Sequence, residues 1–239
     1  MKMIYLNQAR FKEVQKNVDT VIIPIGTIEA HGQHLPLGTD VLIPEGLVEK
    51  IEEKIGDKIL IAPSVNYGHV WTLGAYPGSV DIPTKVLIRY IEEIGKSLID
   101  DGFKNIFLLN GHGGNIPAVT TVGEILADYG GQAVVFNWWI DFNDEILKVC
   151  EGQGHAGEDE SSAVLAVAEE HCDMDLAEVN NDRLIARIYR QDIGKVSYKH
   201  ALSGDATKAS REKGEEILER VSKRMVEIIE RIWKDDILK

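Results

Sequence analysis

Four short apolar runs, rich in β-branched residues, recur along the chain, and stretches with helical spacing separate them. The runs are VDTVIIPIG (18–26), KILIAPSV (58–65), NIFLLNG (105–111) and QAVVFNWW (132–139). Each is short and apolar throughout, as a strand buried on both faces requires. Between them, IPEGLVEKIEEKI (43–55) places Leu47, Ile51 and Ile55 four apart, and 86–102 and 119–130 are helical runs ending at Gly102 and Gly130. Residues 161–171 form a further helix of small residues. From Thr207 onward Ile217, Val221, Met225, Ile228 and Ile232 mark one long amphipathic helix. Parallel strands need helical crossovers, which cover both faces of a sheet. The expectation is an α/β chain: a three-layer α/β/α sandwich with a mostly parallel central sheet. No Ser-, Gly- or Pro-rich linker and no repeat divides it, so 1–239 reads as one domain. The irregular segment 180–206 reads as an excursion over the functional face.

Charge and cysteine content narrow the function. With 26 basic and 39 acidic residues the net charge is −13, which opposes a nucleic-acid groove, since phosphates call for clustered Lys and Arg. Two cysteines, Cys150 and Cys172, make no disulfide framework. No apolar run reaches membrane-spanning length, and the charged N-terminus lacks a signal peptide's apolar stretch. A cytoplasmic protein is expected, with no nucleic-acid or membrane partner.

In an open parallel sheet, ligands bind beyond the carboxyl ends of the strands. Five of the seven histidines fall in the loops that leave those ends: His31 and His34 in 26–40, His69 in 66–79, His112 in 110–115 and His155 in 152–162. Glu29 and His31, two apart, share a side if the chain stays extended. Gly32, Pro36 and Gly38 can turn it so that Asp40 folds back. Glu, His and Asp together suit a divalent cation such as Zn²⁺ or Mn²⁺; they equally suit a turn with Asp40 capping the helix that follows. His112 sits among Gly111, Gly113 and Gly114, where a ligand or an anion can approach the backbone closely. No Gly-Lys-Ser/Thr is present, which excludes a P-loop. Glu158, Asp159 and Glu160 fall in the first turn of a helix, where acidic side chains meet the macrodipole favourably. His155 before them can move protons near neutral pH. His171 fits a helix C-terminus, Cys150 has no activating base nearby, and of Trp138 and Trp139 one belongs to the core while the other can wall a pocket.

The run Glu29-Ala30-His31-Gly32-Gln33-His34-Leu35-Pro36-Leu37-Gly38-Thr39-Asp40, followed by Asn110-Gly111-His112-Gly113-Gly114-Asn115, resembles the creatininase (creatinine amidohydrolase) family. Tyr76-Pro77-Gly78-Ser79, His155-Ala156-Gly157-Glu158 with Glu160, and Gly204-Asp205-Ala206-Thr207 look like further family positions, so the likeness spans roughly residues 20 to 230. It implies an α/β/α sandwich, two divalent metal ions per chain (Zn, Mn or Fe), hydrolysis of an amide-type C–N bond by a metal-activated hydroxide, and a homohexamer built as a trimer of dimers. Carried over, Glu29, Asp40 and His112 would hold one ion, and His31 and Asp40 the other, with Asp40 bridging and His155 moving protons. Creatininase proper has a second-site glutamate where this chain has Gly114, and its substrate-enclosing tryptophans have no counterpart near residue 151. These departures point to the broader family, which includes a formamide hydrolase acting on a ribosylated pyrimidine and an enzyme that cleaves a small redox-cofactor precursor peptide.

The missing carboxylate is expected from the helix near 158. Glu158 and Glu160 diverge by about 200° on a helix, and Glu160 is assigned to the metal, leaving Glu158 to cap the helix or hold His155 as part of the catalytic pair. Gly113, Gly114, His69 and Trp139 are expected to face a small amide substrate. The competing readings are a phosphoesterase, disfavoured because the four loops contain no Lys or Arg, and a non-catalytic metal-binding or regulatory protein.

Overall fold

The computed structural model describes residues 1–238. Its central sheet comprises β1 (Thr20–Ile25), β2 (Leu60–Ile61), β3 (Asn105–Asn110) and β4 (Gln132–Asn137) in the order β2-β1-β3-β4, every neighbouring pair parallel. Around it run α1 (Gln8–Asn17), α2 (Thr39–Ile55), α3 (Thr84–Asp100), α4 (Ile116–Asp128), the short α5 (Trp138–Asp141) and α6 (Asn143–Ile146), α7 (Glu158–Ala168), α8 (Ile193–Ser197) and α9 (Arg211–Trp233). A two-stranded antiparallel ribbon, β5 (Val179–Asn180) with β6 (Gly204–Asp205), lies apart from the sheet.

Alternation along each strand builds two cores, one per face. Val21, Ile23, Ile25, Ile106 and Leu108 pack with α1, α3 and α4, while Ile22, Phe107, Leu109 and Phe136 pack with α2, α7 and α9. This is the expected three-layer α/β sandwich. Among the described residues no helix is long and apolar enough to cross a membrane.

Several boundaries move, each for a local reason. The second strand is only Leu60–Ile61, with further single bridges from Lys2 to Ile61 and from Ile25 to Val65. Trp138 and Trp139 do not end a strand: β4 stops at Asn137, whose N–H donates to the Asp141 carboxylate, and the tryptophans open α5. Trp138 is wholly buried while Trp139 is only partly covered. Helix α2 starts at Thr39 rather than near 43, which puts Asp40 in its first turn. The irregular stretch 180–206 contains β5, α8 and β6.

Pro44 lies inside α2 and has no N–H for the Asp40 carbonyl four residues earlier. Gly26 and Gly111 close in on that carbonyl, and a Cβ at either would collide with its oxygen. Lacking side chains there, the ends of β1 and β3 come directly against the start of α2, and three loops meet at one point.

Candidate metal centre

Two asparagines of the NGHGGN loop fix this meeting point. Asn110 accepts the His112 N–H and donates to the His112 carbonyl and to Asn137 Oδ1. Buried Asn115 donates to the Gly26 carbonyl and accepts the His69 N–H, tying the ends of β1 and β3 to the 66–79 loop. Neither asparagine's task is legible from the sequence pattern. Their signal was a pair of amide side chains flanking the glycines.

On this frame the acidic and imidazole side chains converge. His112 Nδ1 is 2.9 Å from Asp40 Oδ2 and 3.2 Å from Glu29 Oε1. His31 Nε2 is 3.0 Å from Asp40 Oδ1 and 3.6 Å from Glu160 Oε2. His155 Nδ1 is 3.7 Å from Glu29 Oε1, and its ring centroid is 4.1 Å from that of His31. Three overlapping triads, Glu29–Asp40–His112, His31–Asp40–Glu160 and Glu29–His31–His155, each offer three ligand atoms within 4.8 Å of one another.

The other nitrogen of each ring decides its tautomer. His112 Nε2 meets the His69 carbonyl at 2.9 Å, His155 Nε2 the Ala30 carbonyl at 2.9 Å, and His31 Nδ1 the Glu29 carbonyl at 3.2 Å. A carbonyl only accepts, so those three nitrogens carry the protons. The remaining nitrogens therefore turn lone pairs toward carboxylates, acceptor against acceptor. Glu29 Oε1 and Asp40 Oδ2 are buried and have no hydrogen-bond donor among the described residues. Only a proton or a cation resolves that conflict. A divalent ion fits the donor set, and imidazoles anchored through one N–H are how proteins orient such ligands.

Without a cation, protons take its place. Burial pulls the His31 imidazolium down, but Asp40, Glu160 and Glu29 outweigh it and lift the pKa to about 9. At His112 burial is likewise overcome by Glu29 and Asp40, which raise it well above the ordinary value. Against its own burial, Asp40 is held well below the usual carboxylate range by His31 and His112. Burial pushes Glu160 up to about 8, with Asp40 and Asp159 adding to it and His31 opposing. His155 is lowered to about 4 by burial and by the neighbouring His31 charge.

Three expected site residues do not present a side chain to the cluster. Glu158 does not face the cluster. Its Oε1 takes Lys213 Nζ at 2.6 Å, and its Oε2 accepts the N–H groups of Glu151 and Gly152 at 2.9 and 3.2 Å. It neither caps α7 nor bonds His155, so the geometry gives the catalytic task expected of it no support. The His69 ring pairs with Asp81 at 2.9 Å, and only the His69 carbonyl reaches the site. Gly114 is packed so tightly that a Cβ would collide with the His69 carbonyl oxygen and crowd His112 Nε2. Gly113 is open, and Trp139 lies beside it, 3.9 Å from where a Cβ would stand. Tyr198, which sequence reading passed over, sets its ring edge-on to His155 at 5.7 Å, and Tyr76 Oη donates to its carbonyl. The excursion 180–206 thus does cover the site.

The sequence profile of the Creatininase family, creatinine amidohydrolase, matches residues 5–229. The chain belongs to this family. A mycofactocin precursor peptide peptidase of Mycolicibacterium smegmatis is 29% identical across 97% of this chain and 92% of its own length. The creatinine amidohydrolase of Pseudomonas putida is 27% identical across 91% of this chain and 93% of its own. A solved manganese creatininase superposes with a TM-score of 0.87 at 23% identity, covering 96% of this chain and 97% of that one. At these identities the chain is a family member outside creatininase proper. It is a creatininase-family hydrolase whose cluster has the residues to bind metal.

Proposed function

We propose that this protein is a metal-dependent amidohydrolase that cleaves a non-peptide C–N bond (amide, cyclic amide or formamide) in a small molecule. The observation that carries this reading is the set of three anchored imidazoles aimed at carboxylates, His31 and His112 at a shared Asp40 and His155 at Glu29. Glu29, Asp40 and His112 would hold one divalent ion, Zn²⁺, Mn²⁺ or Fe²⁺, and His31, Asp40 and Glu160 the second. Such a pair supplies Lewis acidity and a water acidic enough to ionise near neutral pH.

The protein's own groups account for the rest. His155 Nε2–H is committed to the Ala30 carbonyl, so only Nδ1 exchanges protons. Its Nδ1 lone pair would first accept the proton of the attacking water and then return it to the leaving nitrogen. Gly113, Trp139 and Tyr198 line the approach, and the Gly114 backbone keeps the His69 carbonyl against His112. No Lys or Arg stands in the four loops to clamp a phosphoryl group, which disfavours a phosphoesterase.

A second reading, cleavage of a short peptide, is favoured by the 29% identity to a precursor peptide peptidase. A homohexamer, by family resemblance, and a cytoplasmic location, by the low cysteine content, are part of the proposal. The test is to strip the protein with chelator, reload it with Zn²⁺, Mn²⁺ or Fe²⁺, count bound metal, and screen cyclic amides, formamides and short peptides. Loaded protein that hydrolyses formamides or cyclic amides supports the first reading, and peptides alone the second. Metal uptake without hydrolysis of any of them favours a binding or regulatory role.

A further inference from the structure

His34 shares the first loop with Glu29 and His31 but stays outside the cluster. It is 2% exposed, and its Nδ1 has no hydrogen-bond partner among the described residues. The ring is wedged against the Gly32 turn, at φ +61, where a Cβ would collide with it. A buried imidazole with an unmet acceptor is less favourable than an apolar side chain of similar size. Its other nitrogen is fully engaged. Nε2 lies 2.7 Å from Ser161 Oγ, and Ser161 Oγ donates to the Ala156 carbonyl at 3.0 Å. The single hydroxyl proton goes to Ala156, so His34 Nε2–H is the donor to Ser161.

Ala156 is in the left-handed region at φ 53, a conformation L-residues other than Asn and Asp seldom adopt. The Ala156 N–H donates to Glu160 Oε2 at 2.7 Å. The residue before it, His155, is tied back to Ala30. One strained turn therefore aims both the proton carrier and the carboxylate of the second triad, and loop 30–34 holds it at two points.

We propose that His34 is a positioning residue which, through Ser161 and the Ala156 carbonyl, fixes the turn that delivers Glu160 and His155 to the metal cluster. This rests on the metal reading of the cluster given above. It predicts that the His34–Ser161 relay controls the second ion more than the first, because the turn it holds carries Glu160, whereas Glu29, Asp40 and His112 lie outside that turn.

The experiment uses metal-stripped wild type, His34→Leu, Ser161→Ala, the double variant and His34→Gln. Each is titrated with Zn²⁺ against a chromophoric chelator, with thermal melts alongside. His34→Leu and Ser161→Ala should each weaken the second ion by about 10–100-fold, the range for groups that orient metal ligands, with the first ion changed less than about threefold. The double variant should lose no more than either single one, since both cut the same relay. His34→Gln, which keeps an N–H at similar reach, should retain most of the affinity. Losses that multiply in the double variant, or both ions weakening together as the melting point falls, would show ordinary packing and overturn the inference. Two ions held equally well by all five proteins overturn it alone, whereas a wild type that takes up no Zn²⁺ removes the metal reading as well. If His34→Leu does not fold, Ser161→Ala decides.

Discussion

The two glutamates at the start of α7 provide a test in which stability and metal content should move in opposite directions. Glu160 carries a carboxyl raised from 4.5 to about 8, chiefly by burial. An acid whose folded pKa is raised binds its proton more tightly folded than unfolded, so its contribution to stability falls as pH rises from 4.5 through 8. At about 1.4 kcal/mol per unit, ionised Glu160 costs the metal-free protein at most about 5 kcal/mol above pH 8. Glu160→Gln removes that cost. In chelator at pH 8.5 the variant should therefore be more stable than wild type to urea, while at pH 4.5 the two should nearly coincide. With Zn²⁺ or Mn²⁺ the order should reverse, because on the proposed reading wild type would take two ions and the variant one, and bound ligand stabilises by mass action. Hydrolysis should fall more than about 100-fold, beyond the range for groups that only orient ligands. Glu158→Gln should do the opposite. It breaks the 2.6 Å contact with Lys213 and weakens acceptance of two backbone N–H groups, costing about 1–3 kcal/mol, and should keep both ions. Metal analysis after gel filtration, with urea melts at both pH values, reads all of this. The reasoning fails if Glu160→Gln retains two ions, if Glu158→Gln loses one, or if Glu160→Gln is the less stable protein in chelator at pH 8.5.

Other expectations are brief. Loading the stripped protein at pH 7 should release at least about two protons per chain, from His31 with its pKa of about 9 and from His112; calorimetry in buffers of different ionisation enthalpy measures this, and zero release would mean the imidazoles are not the ligands. Because those pKa values are raised, metal affinity should rise with pH up to about 9 and weaken as protons reclaim the rings below it. His155→Asn should keep both ions and lower kcat by about 10²–10⁴-fold, and activity within threefold of wild type would exclude His155 from proton transfer. Gly114→Ala should destabilise the protein by about 1–3 kcal/mol and loosen the first ion, since its methyl group must displace the His69 carbonyl that anchors His112; an unchanged melting point and metal content would refute that role.

The layered architecture was legible in the pattern of apolar runs, and the resemblance to the creatininase family supplied most of the residues that cluster. Alternating short apolar runs and helical repeats admit few arrangements other than a parallel sheet covered on both faces, because burial periodicity is a local property of the chain. The loop order puts Glu29, His31, Asp40 and His112 at one end of that sheet, and Gly114, where creatininase proper has a glutamate, implies a further carboxylate, expected at Glu160. Tertiary structure alone decided the rest, because the partners are far apart in sequence. Glu158 is turned from His155 toward Lys213, 55 positions away, and His34 meets Ser161 across 127 positions. Trp138 and Trp139 read as strand by composition, but β4 ends at Asn137, whose N–H turns to Asp141. Above all, the tautomers of His31, His112 and His155 are set by carbonyls of Glu29, His69 and Ala30. A backbone carbonyl looks the same in every residue of a sequence, and only folding shows which one stands behind an imidazole and turns its other nitrogen toward the carboxylates.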